Sequence, residues 1–251
     1  MKNTVLGFIT KFCCLVFISI SLPAYPQDKQ YAYNDPWGCQ GLSIESVKNN
    51  SIEIVFSIHS FGITSENKKG TIWQIINTPG LFLPSEPGQP ELPSYSRFLA
   101  IPKEATPSFR VIESRSEIIK DVHIIPSHKI AFDSQPADTI FKKDKSVYEK
   151  NSFFPLEPVM MSSVSQIRGI DVVMLGVFPF QYNPVTKELK VIRDIRLEIS
   201  YENGKSYSSE DRYRNFWWDQ VLDDIILNFN SLPSQDYSKN YESKEEQTGC
   251  D

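Results

Sequence analysis

Residues 171–182 read DVVMLGVFPFQY, residues 183–188 NPVTKE and residues 189–201 LKVIRDIRLEISY. The outer two runs are strand-like, and the Asn- and Pro-bearing piece between them is turn-like, which predicts a long antiparallel hairpin. Working outward, Ile52, Ile54, Phe56 and Ile58 alternate with Glu53, Ser57 and His59 among the intervening positions. That period of two marks a half-buried strand. Further strand candidates are Thr71–Asn77, Tyr95–Ile101, Phe109–Glu113 and Ile118–Ile125. Short strands at regular spacing, separated by Pro and Asn turns, predict an all-β antiparallel sandwich of jelly-roll-like type.

Composition agrees. The chain has 251 residues, 40% hydrophobic and 23% charged, within the range of folded globular domains rather than disordered chains. Its 31 acids outnumber 26 Lys and Arg, so there is no basic footprint for nucleic acid. The 17 Pro exceed the 11 Gly and aromatics are plentiful, a mixture suited to short strands and stiffened turns.

The two ends differ from the middle. Residues 1–24 carry Lys2 and Lys11, an apolar run from Phe12 to Ile20, and a Pro23-Ala24 end. This is the pattern of a cleaved signal peptide, too short to remain as a membrane span. Export to the periplasm, and from there to the medium or cell surface, is the expectation. Residues 25–50 read as a polar, loosely ordered lead-in, 51–205 as the sandwich, 206–229 as a helix and 230–251 as an exposed linker. The helix rests on Trp217, Val221, Ile225 and Phe229, which recur every four residues on one face after the acidic Ser208–Asp211 start. With the signal removed, Cys39 and Cys250 remain; both a pairing across the fold and two free thiols stay open.

The sequence carries no positive sign of catalysis. Three His (His59, His123, His128) and no rigidly placed Cys give no nucleophilic pair. There is no CxxC, no zinc spacing, no phosphate loop and no GxSxG, so no catalytic residue, metal or cofactor is assigned.

Two segments are more distinctive: Gly88-Gln89-Pro90-Glu91-Leu92-Pro93 leading into Tyr95–Pro102, and Arg168–Val173 running to Gln181-Tyr182-Asn183-Pro184-Val185-Thr186-Lys187. Between them lie Lys120-Asp121-Val122, Pro126-Ser127 and Phe153-Phe154-Pro155. In this order and spacing, over roughly Ser51 to Phe229, they resemble the N-terminal prodomain of gingipain-type (family C25) cysteine peptidases of Bacteroidota. The resemblance implies a β-sandwich that covers the active-site cleft of a Cys/His peptidase, assists its folding, and is released when the linker is cut. The partner it implies is the cognate C25-type catalytic domain, carried on the same polypeptide. Nucleic acid is not expected as a partner, nor is a membrane once the signal is gone.

In the Arg-cleaving members of that family, a basic side chain from the loop after the Pro-Ser pair enters the specificity pocket. The aligned positions here are Phe132 or Asp133, and Lys129 is the nearest basic residue. Three readings stay open: the loop is re-registered so that Lys129 enters the pocket, the target enzyme does not prefer basic residues, or the prodomain assists folding without plugging the cleft. Lys239 and Lys244 are candidate processing sites in the linker. Two alternatives are carried forward: an architectural prodomain of a sortase-like C25 protein, and a stand-alone surface module using exposed aromatics, with Trp37 and one of Trp217 or Trp218 the candidates.

Overall fold

The computed structural model describes residues 28–68, 70–80, 86–128, 143–207, 214–235 and 237. The expected all-β, jelly-roll-like sandwich stands, built from three antiparallel sheets. The largest contains β2 (Gly41–Lys48), β3 (Ser51–Ser57) and β12 (Glu188–Glu202). Along the far edge of β12 runs β7 (Thr106–Ile119), and β11 (Phe180–Asn183) pairs with its first residues on the β3 side. The second sheet has β10 (Ile170–Val177) between β6 (Tyr95–Ala100) and β8 (Val159–Met161), with β9 (Ser165–Ile167) also on β10. The third orders β1 (Lys29–Ala32), β4 (Ser60–Lys68) and β5 (Thr71–Asn77).

One apolar cluster joins the sheets: Ile52, Ile54 and Phe56 of β3, Phe61 of β4, Leu99 of β6, Val173 and Leu175 of β10, and Leu189 to Ile199 of β12. The alternation seen at Ile52, Ile54 and Phe56 is therefore the inward face of β3. Where α2 covers it, the second sheet is buried on both faces. Leu99 and Val173 point into the main core, while their neighbours Ala100 and Val172 meet Leu222 and Ile226 of helix α2 (Phe216–Ile225) in a smaller cluster. A 3₁₀ turn at Phe229–Ser231 comes after α2. Asn228 fixes this layer: its amide accepts from Ala100 N at 2.7 Å and donates to Ala100 O at 2.9 Å, as a paired strand would.

The outer face of the large sheet is held by charge. A register jump leaves Arg193 without a partner on β7 and turns Asp194 onto that face, 1% exposed. Its carboxylate accepts from Trp37 N (2.9 Å), Ser57 Oγ (2.7 Å), and Arg115 Nε (2.9 Å) and Nη2 (2.6 Å). Arg115 and Arg196 lie 4.8 and 5.0 Å from the Trp37 ring centre, so that indole is a packing element.

Three expectations are corrected. The lead-in at 25–50 is not loose over its described part: β1 and β2 are paired strands, tied down by Asp194 and by β4. The long hairpin is short. Only Phe180–Asn183 pairs back onto β12, because Phe178-Pro179 interrupts the run and Ile170–Val177 belongs to the second sheet. The helix within 206–229 spans Phe216–Ile225, capped by the Asn215 side chain on Trp218 N, and turns extended at Ile226. Its buried side is Leu222, with Ile226 beyond it, whereas Trp217 and Val221 face solvent. Ile225 and Phe229, the other two members of the expected stripe, pack against the smaller cluster, so that stripe is split between solvent and core.

Candidate functional site

The segments that carry the family resemblance lie far apart in sequence, yet the fold brings them together. Glu86-Pro87-Gly88-Gln89 forms a turn closed by Gln89 N to Glu86 O, 3.1 Å, with Gly88 at φ 90°. Pro then Gly with positive φ at the two central positions is the type II arrangement. Residues flanking the 129–142 segment on both sides bond to this turn. Gly88 N donates to Ser127 O (2.9 Å) and Ser127 N to Gln89 O (2.8 Å), where the chain leaves. Asp144 N donates to Gly88 O (2.9 Å), where it returns. Ser127 and Asp144, on either side of residues 129–142, thus both bond to one glycine turn.

Beneath it, residues 122–127 are locked from three sides. Glu91 N donates to Ile125 O (2.9 Å); Gln74 of β5 exchanges backbone bonds with His123 O (2.8 Å) and Ile125 N (3.1 Å), and its side chain accepts from His123 N (2.6 Å). Val122 N donates to Lys187 O (3.0 Å), and the Tyr182 hydroxyl donates to Val122 O (3.1 Å). Tyr182 exchanges both backbone bonds with Phe154, and Gln181 Nε2 donates to Pro155 O (2.8 Å). Hence GQPELP, KDV, PS, FFP and QYNPVTK build one platform. Val122, Ile124 and Ile125 are buried, so the platform is continuous with the core.

Asp144 also caps α1 (Lys145–Tyr148) by accepting from Ser146 N at 2.9 Å, and Tyr148 reaches Ile124 O at 3.2 Å. Between α1 and the platform is a cleft of about 530 Å³, with His123, Lys143, Glu149 and Tyr182 on its walls. His123 stacks on Trp73 at 4.2 Å, and the Lys143 ammonium lies 4.9 Å from the same indole. Burial, then the Lys143 charge, lowers the His123 pKa, so the ring is held neutral. Burial pushes the Tyr182 hydroxyl up to about 12, keeping it a proton donor. Burial likewise raises the Glu91 carboxyl.

Lys129, Phe132 and Asp133 lie outside the described residues, as do Lys239, Lys244 and Cys250. The structure therefore presents the stems of the loop and not its tip. Cys39 is an exposed free thiol. His59 supports a turn, its Nε2 2.8 Å from Gly38 O. Among the described residues no group of three His, Cys, Asp or Glu side chains could hold a metal ion. No helix among them is long and apolar enough to cross a membrane. Sequence reasoning missed Gln74 and Asp194. Gln74 reads as an ordinary strand residue, and the register jump that turns Asp194 against the sheet leaves no mark in the sequence.

A sequence model of the Propeptide_C25 family matches residues 34–235. Lys-gingipain of Porphyromonas gingivalis strain ATCC 33277 is 26% identical over 175 residues, 66% of this chain and 10% of that protein. Gingipain R2 of the same strain is 29% identical over 188 residues, 73% of this chain and 25% of that protein. This chain thus spans between a tenth and a quarter of these relatives. Two solved structures share the fold. The complex of Porphyromonas gingivalis RgpB pro- and mature domains gives a TM-score of 0.64 at 24% identity, covering 75% of this chain and 97% of that one. A structure bearing on the zymogenic latency of gingipain K gives 0.60 at 22%, covering 70% and 99%. On the match across residues 34–235, the chain belongs to the Propeptide_C25 family.

Proposed function

We propose that this chain is an exported prodomain that keeps a C25-type cysteine peptidase latent by covering its active-site cleft, and that it assists folding of that domain until the linker is cut. The supporting observation is the convergence of the family-like segments on the stems of residues 129–142. A loop whose ends share one glycine turn has little conformational freedom at its base. A tethered inhibitor also acts at high effective concentration, so moderate contacts suffice until the tether is cut.

In this reading Lys129, Phe132 and Asp133 supply the pocket-facing side chain, and Lys239 and Lys244 are the processing positions. Residues 1–24 direct export through the periplasm to the medium or surface. The chain itself is the inhibitory part and carries no catalytic role. The test is to add the purified chain to the mature peptidase processed from its own precursor. Inhibition that disappears when residues 129–142 are replaced by a Gly/Ser linker supports the reading; unchanged peptidase activity at excess chain overturns it.

A further inference from the structure

Helix α2 is apolar on two sides. Leu222 packs inward, yet Trp217 is 70% exposed, Phe216 52% and Val221 47%. Phe216 and Trp217 meet edge to face, ring centres 5.5 Å apart, as a preformed aromatic pair. Val221 lies one turn beyond Trp217 and extends this exposed apolar side along the helix. A preformed aromatic pair with an aliphatic neighbour makes up a binding surface, for which isolated exposed apolar residues do not account.

The chain's exit singles out an occupant. Buried Arg214 grips the Asp219 carboxylate with Nε at 3.0 Å and Nη2 at 2.6 Å, and donates to Pro233 O at 2.9 Å. The Tyr237 hydroxyl bonds to the same Asp219. Residues 233 and 237 are thereby strapped onto the first turn of α2, beside Phe216 and Trp217. On the prodomain reading the peptidase domain is joined through residues 238–251, a stretch that can span at most about 50 Å, which keeps that domain within reach of this face.

We infer that the Phe216–Trp217–Val221 face of α2 is a docking surface for the peptidase domain, distinct from the 129–142 segment. The inference rests on the prodomain reading and gives it a second anchor. The exposed Asp223 and Asp224 on this helix call for an apolar partner patch with basic side chains at its rim.

The test uses the full chain, its Trp217→Glu and Val221→Glu variants, and the mature peptidase from the same precursor. Both residues are exposed, so the variants should fold, which matching melting curves would verify. The expected result is inhibition at least tenfold weaker in each variant, and amide protection of 216–222 in the wild-type complex only. Equal inhibition constants for wild type and both variants overturn the inference while leaving the prodomain reading intact. Loss of wild-type inhibition removes both. A wild-type dimer that the variants dissolve, with inhibition unchanged, reassigns the face to self-association and also overturns the inference.

Discussion

Gly88 bears the geometric demand of the platform. At φ 90° a side chain is strained, so Gly88→Ala should cost about 1 kcal/mol in denaturant unfolding. It should also weaken inhibition, because both stems of 129–142 bond to this residue. Asn228→Ala removes two buried hydrogen bonds and strands both polar groups of Ala100; a loss of about 2 kcal/mol is expected in the same assay. His123 sets a pH dependence. Its folded pKa lies below the ordinary 6.5, so the fold disfavours the cation. The unfolded chain then binds the proton first as pH falls. Stability from this group is complete above about 6.5 and declines as pH drops through the window between the two values. The melting temperature of wild type should therefore fall relative to His123→Asn on acidification from about pH 7 to about pH 5. Parallel curves for the two proteins would show that the ring does not report on the fold.

At the scale of elements, legibility varies with local chemistry. The alternation at Ile52–Ile58 marks β3, whose Ile52, Ile54 and Phe56 enter the core although Val55 and Ser57 are buried on its other face, and the bounds of β5 match those its sequence predicts. The NPVTKE turn is legible because Asn183 accepts from Val185 N and Thr186 N, the usual Asn-turn chemistry. The strand entering that turn is less so. The crossing at Phe178-Pro179 is decided by which sheet lies beneath, which no local pattern encodes. For α2, the four-residue spacing picks out Trp217, Val221, Ile225 and Phe229, of which the last two pack with Leu222 and Ile226 while the first two stay exposed, a split set by the sheet contacts. The start expected at Ser208–Asp211 falls outside the described residues, whereas the cap seen is Asn215. Asn215→Ala should cost about 1 kcal/mol, confined to α2 and readable as faster amide exchange there than in β12. Uniform loss of protection across the sandwich would contradict a local cap.

For the whole molecule, the family-like segments are legible in the sequence, but their meeting place is not. It arises from long-range pairings between residues 88, 122–127, 144, 154 and 182. The candidate loop itself is defined here by its stems. If these stems present residues 129–142 to a peptidase cleft, titrating the mature peptidase with the chain carrying its own 129–142 segment gives saturable inhibition, and a Gly/Ser replacement of that segment weakens it at least tenfold. Equal inhibition by both chains, or none by either, contradicts that role for the segment.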